Sequence, residues 1–242
     1  MTDLVGVPNV AVTANDFWMP LGKPVRTGTG WNKEPAKEAR LDRDASFLPA
    51  AARQALRRWW LEVPRGANSP NWDLASTCRI EGGNGMLLVE AKAHSKELSV
   101  AGKSAPSTGN GWKNHERIGS AIEQARAGFR RDAGGSWRIA RDSHYQLANR
   151  FAWSWKLTSL GVPVVLVYLG FLNAEDMAKE GSLFRSEDDW GRAVRHHARG
   201  VVDDTCWDRR LVVNGQSFTP LIRALELPFA PRVQRRTVRD SS

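Results

Sequence analysis

Two cysteines, Cys78 and Cys206, are all the thiols in 242 residues. That excludes a disulfide framework and a four-cysteine zinc site. No apolar run is long enough to cross a bilayer as a helix. The longest, Val162 to Leu172, falls well short of the ~20 residues a span needs. The first residues lack the basic-then-apolar pattern of a secretory leader. A cytoplasmic protein without membrane association is therefore expected. No internal repeat is visible. Acids are scarce too: 26 Asp and Glu face 35 Lys and Arg, for a net charge of +9 and a pI near 10.1. Arginine outnumbers lysine, 26 to 9. Guanidinium forks match phosphate oxygens, so this balance suits a polyanion such as nucleic acid. Charge that serves only solubility is the plain alternative. The chain is long enough for one domain with a sizeable core.

The stretch from Trp72 to His94 organises the rest. It predicts two strands, Trp72 to about Ile80 and Met86 to about Ala93, joined by a turn over 81–85 (Glu-Gly-Gly-Asn-Gly). Side chains alternate along a strand, so Glu90 and Lys92 share one face with Leu88, and Ala91 takes the other. Pairing the strands brings Asp73 towards Glu90. Two carboxylates and an ammonium then converge at a sheet edge. Carboxylates are hard-oxygen ligands for Mg²⁺ or Mn²⁺, and such an ion lowers the pKa of bound water and stabilises phosphoryl charge. A nearby lysine can orient the attacking water or offset developing charge. Glu-x-Lys alone is a weak signal. It gains weight as the chain's single occurrence, with no Asp-x-Lys, at the end of an apolar strand. A solvated hairpin end with a surface ion pair is the alternative.

On these residues the chain resembles the PD-(D/E)XK nuclease superfamily, the restriction-endonuclease-like fold. Asp73 matches the first acid, Glu90 the second and Lys92 the lysine. The first half departs from the pattern, with Asn71-Trp72-Asp73 in place of Pro-Asp and Pro70 displaced upstream. The resemblance covers about residues 46–172. It implies an α/β fold with a mixed central sheet flanked by helices and an αβββαβ core. It implies Mg²⁺-dependent hydrolysis of phosphodiester bonds, with DNA as the expected substrate. Asp73, Glu90 and the Ala91 carbonyl would hold the metal, and Lys92 would serve the nucleophile. Several branches carry a glutamine, and a polar or basic residue four positions on, in a later helix. Gln146 and Arg150 match that loosely as phosphate contacts. The stretch from His144 to Arg150, followed by an apolar strand, is also similar to uncharacterised prokaryotic proteins. A homodimer stays open. So do a non-catalytic nucleic-acid-binding module on the same fold and an interaction subunit of a larger complex.

The remaining chain is read around that core. Residues 1–45 predict an irregular arm, and Gly28-Thr29-Gly30 lacks the strand-turn-helix setting of a phosphate loop. A helix is expected over about Phe47 to Leu61. Glu62, at its end, is a candidate further acid or a plain surface glutamate. Ser95 to Gly111 reads as a loop, a substrate-contacting flap or simply surface. His94 is placed to reach the site or merely to end the strand. Asn114 is expected to cap a helix to about Arg131. A helix over about Ser143 to Ser159 puts Gln146, Asn149, Arg150 and Trp153 opposite its apolar stripe. Val164 to Leu169 reads as a buried strand. Residues 173–230 predict an elaboration: a helix capped by Ser186, then a hairpin over about Arg209 to Phe218 around Asn214-Gly215. Residues 231–242 predict a basic tail with Arg232, Arg235, Arg236 and Arg239. Trp72, Trp112, Trp137 and Trp153 lie near the site or its loops, either to stack on unpaired bases or to fill the core.

Overall fold

The computed structural model describes residues 2–20, 24–27, 30–33, 38–64 and 67–226. Along them run α1 (Thr2–Val5), β1 (Val10–Ala11), β2 (Trp18–Met19), β3 (Pro24–Thr27), β4 (Gly30–Lys33), α2 (Ala50–Trp60), β5 (Leu74–Ile80) and β6 (Gly83–Lys92). There follow α3 (Gly109–Asp132), α4 (Tyr145–Ser159), β7 (Val164–Leu172), α5 (Glu187–Ala198), β8 (Leu211–Val213) and β9 (Gln216–Glu226). The expected tail at 231–242, and Gly28 and Thr29, lie outside the described residues.

The centre of the molecule is the β5–β6 hairpin. Glu81 and Gly82 both take positive φ, 52° and 78°, and close a two-residue turn whose twist matches that of the strands. The turn is thus shorter than the 81–85 expected, and Gly83, Asn84 and Gly85 belong to β6. Beyond the hairpin, β6 pairs parallel with β7, and β7 parallel with β9. Seven strands form one mixed sheet in the order β1-β5-β6-β7-β9-β8, with β2 also on β5.

Strand alternation divides the apolar side chains between two cores. Met86, Leu88, Val164 and Leu166 face a large one with Leu56 and Trp60 of α2, Ile118 and Phe129 of α3, Phe151 of α4 and Trp190 of α5. Leu87, Val89, Val165 and Val167 face a smaller one, covered by Val5, Val10 and Val12 of the N-terminal segment. Truncating a fully buried leucine such as Leu88 to alanine costs ~2–5 kcal/mol. Four helices therefore cover one sheet face, and the N-terminal segment covers the other.

Several expectations are corrected. Between α2 and α3 lie two strands, not three, so the described order is αββααβ followed by α5, β8 and β9 rather than αβββαβ. Residues 1–45 are more than an overlying arm, because β1 and β2 extend the sheet along β5. Ser95 to Gly111 is not all loop: a short turn of helix spans Ser95–Glu97, and α3 already starts at Gly109. Thr108, not Asn114, caps α3, accepting from the Gly111 amide at 3.1 Å. Asn114 is buried within the helix, where its amide meets Val63 N–H and C=O at 2.9 and 3.0 Å. The Ser186 cap and the Asn214-Gly215 hairpin are present as read, but β9 runs on to Glu226 as an interior strand.

Candidate active site

Asp73 sits one residue before β5, and the hairpin register that pairs Leu74 with Val89 puts it beside Glu90. Its Oδ2 accepts the Ala91 amide at 2.7 Å. The segment leading to it is pinned from several sides. Trp72 and Ala39 exchange backbone hydrogen bonds at 2.8 and 2.9 Å. Arg40 donates to Asn71 at 2.8 Å. The buried Ser69 hydroxyl donates to the buried Asp42 carboxylate. The loop that carries the acid is thereby tied to the segment 39–42.

Glu90 and Lys92 occupy the helix-facing side of β6, 1% and 5% exposed. Glu90 is doubly bound: Oε1 accepts from Lys92 Nζ and Oε2 from Arg150 Nε. Arg150 comes from α4 and is buried as well. It donates a further bond to Asn149 at 2.8 Å and lays its guanidinium over the Trp72 ring, 4.6 Å from the centroid. A buried carboxylate between two buried cations satisfies the rule that charges leave water only when paired. The phenol of Tyr168, on β7 in register with Glu90, is pushed well up by burial and then by the Glu90 charge, so it stays neutral.

Asp73, Glu90, Ala91, Lys92, Gln146 and Arg150 all line one cleft of about 650 Å³. Glu38, Glu97, Lys103, Tyr145 and Asn149 line it too. The Asp73 carboxyl is raised above the usual carboxylate range, first by burial and then by the Glu90 charge. Its outer side remains open, so the shift is that of a group on a cleft wall. A carboxylate pushed up by a neighbouring carboxylate's charge forms with it a hard-oxygen pair whose repulsion a divalent cation relieves. The residues fit such an ion chemically, with one condition. Both Glu90 oxygens already accept from cations, so a metal would share Glu90 with Lys92 and Arg150. Among the described residues, no group of three or more His, Cys, Asp or Glu side chains is arranged to hold a metal.

No protein-family model matches the chain, and neither a curated protein nor a solved structure does.

Other sequence candidates fall elsewhere. Glu62 is exposed and faces Arg117 at 3.7 Å in a separate groove. His94 is buried beside Glu97, 3.8 Å away, and is not among the cleft residues. Trp153 lies not on a polar face but in the core, with its ring against Trp60. Trp72 and Trp137 are likewise buried, the latter stacked on Phe129. Base stacking is closed to these three, while Trp112 stays about half exposed. Asn149, on the polar face of its helix, and Lys103, in the loop read as a candidate flap, both line the cleft without a role assigned from the sequence. Asn149 was readable from its place beside Arg150 on a helix. For Lys103 the only signal was a lysine in a polar loop.

Among the described residues, no helix is long and apolar enough to cross a membrane.

Proposed function

We propose that this protein hydrolyses phosphodiester bonds of nucleic acid, with DNA the expected substrate, using Mg²⁺ or Mn²⁺ at Asp73 and Glu90. The observation that carries the reading is the meeting of Asp73, Glu90 and Lys92 in one cleft, with Gln146 and Arg150 on the facing helix. The ion would be held by the two carboxylates and the Ala91 carbonyl. Bound there, it would acidify a water and offset charge on the phosphoryl oxygens. Lys92 holds its ammonium against Glu90, where a point charge serves an attacking water or the phosphate. Arg150 orients Glu90 from the other side and keeps a second cation in reach of a phosphate. The net charge of +9 favours a polyanion. A restriction-endonuclease-like sheet, in the described αββααβ order and not the expected αβββαβ, is part of this proposal.

One observation favours a second reading. Glu90 is already neutralised by Lys92 and Arg150, an arrangement that serves equally a nucleic-acid-binding module without a metal. Two measurements separate the readings. Chelator-cleaned wild type is given a labelled DNA substrate with Mg²⁺, beside Asp73→Asn. Mn²⁺ binding to both proteins is followed by calorimetry. The nuclease reading expects cleavage and Mn²⁺ binding by the wild type alone. Equal cleavage by both proteins, or none by either, overturns it.

A further inference from the structure

Among the described residues three cations line the cleft, and they differ in what they face. Lys92 and Arg150 are bound to Glu90. Lys103 is bound to no carboxylate among the described residues; its ammonium lies 5.0 Å from the centroid of the Tyr145 ring. We propose that Lys103, held over Tyr145 in the cleft, forms an anion subsite for a backbone phosphate of a nucleic-acid strand, neighbouring the phosphate taken at Asp73 and Glu90. This rests on the reading of the cleft as a nucleic-acid site.

The position of Lys103 is built into the fold. Its segment runs alongside the entry to α4 as a short ladder. His144 N–H donates to Val100 at 2.9 Å, Tyr145 N–H to Ala101 at 2.9 Å, and Lys103 N–H to Arg141 at 2.8 Å. Gly102 packs against the Asp142 backbone so closely that a Cβ there would overlap it. Lys103 thus sits on a strap fixed to the helix that carries Gln146 and Arg150.

A half-buried ammonium loses hydration that a counter-charge normally replaces. Here burial alone lowers the lysine's pKa, and no acid pushes back. The aromatic face supplies part of the missing field, and a phosphate would supply the rest as a point-charge contact. The neighbouring Tyr145 phenol is pushed up by burial, so it stays a neutral donor. Gln146 adds an amide on the same cleft wall.

The test is fluorescence anisotropy of a short labelled DNA duplex in Ca²⁺, across a salt series. Wild type is compared with Lys103→Met, Lys103→Gln and Lys103→Arg, with thermal melts confirming the fold; the glutamine variant stands in if the methionine one unfolds. The neutral variants are expected to bind roughly tenfold more weakly and to lower the slope of log K against log salt by about one, with arginine restoring both. Neutral variants that bind with wild-type affinity and slope overturn the subsite, even if the wild type cleaves DNA. If the wild type fails to cleave in Mg²⁺ but binding still depends on Lys103, hydrolysis is overturned and the subsite stands. A wild type that binds no duplex at any salt overturns both.

Discussion

Glu90 and Lys103 share a cleft and differ in nearly every other respect. Glu90 lies on the sheet, buried, with a cation on each oxygen. Lys103 lies on a strap at the cleft wall, half-buried, with an aromatic ring for a neighbour. The first arrangement is closed: the carboxylate and both cations find their partners inside the protein. The second is open, because no carboxylate among the described residues pairs with it. Asp73 stands between them, tied to the Ala91 amide by one oxygen and exposed on its other side. The contrast separates what a charge does for the fold from what it can do for a ligand.

The contrast breaks first, and by the most, at Glu90. Glu90→Ala leaves Lys92 and Arg150 as buried cations without a carboxylate. It is expected to cost ~3–5 kcal/mol, a fall of roughly 10 °C in Tm for a chain of this size. A melt within a degree or two of wild type would mean that the triad is not what holds this end of the sheet.

Next comes His197, which packs its ring 5.0 Å from that of His144. Burial, and then the charges of His144, Lys92 and His196, push it down to about 4. The unfolded chain takes up this proton near pH 6.5, the folded chain only near 4. Stability is therefore full above about 6.5 and falls as pH drops through that window, by on the order of 2–3 kcal/mol. Denaturant titrations of wild type and His197→Phe at several pH values measure it. A pH slope equal in both proteins would sink the idea.

Asp73 carries a smaller effect of the opposite sign. Its raised pKa means that, just above the ordinary carboxylate range, the folded chain binds more proton than the unfolded one. Stability thus falls as pH rises through that interval, and Asp73→Asn should flatten the slope while keeping the acceptor for Ala91. The same pH series reads it out; an unchanged slope would place Asp73 in an ordinary solvent environment. Smallest of all is an exposed pair such as Arg185 with Glu175. Replacing either residue by alanine should change stability by less than ~1 kcal/mol. A loss comparable to that at Glu90 would show that burial does not decide which pairs matter.

What the sequence yielded and what it withheld follow from range. The hairpin was legible because its information is local: alternation along β6 and residues tolerant of positive φ at the turn. The shared face of Glu90 and Lys92 came from the same period of two. The α4 helix and the apolar β7 were legible for similar reasons. The Arg150–Glu90 bond was not, since it joins a helix to a strand sixty residues away. Trp153 was misplaced because helical periodicity marks two faces but not which tertiary neighbours, here Trp59 and Trp60, bury the second one. Asn114 looked like a cap by residue type, whereas its partner is the Val63 backbone across a helix pair. Lys103 carried no pattern; that it pairs with no carboxylate among the described residues is visible only in three-dimensional packing.

The position of β9 has a consequence for how the molecule is made. On the ribosome, β7 emerges well before its second parallel neighbour, because the α5 segment and β8 come between. At ordinary elongation rates those roughly forty residues take some seconds. Throughout that interval β7, apolar on both faces, presents an unpaired edge to the cell. Such an edge invites pairing with other nascent chains until β9 slots in. Sealing this side of β7 thus waits on β9, and a ribosome-associated holdase bound to stalled chains ending shortly after Leu172 would be its visible trace.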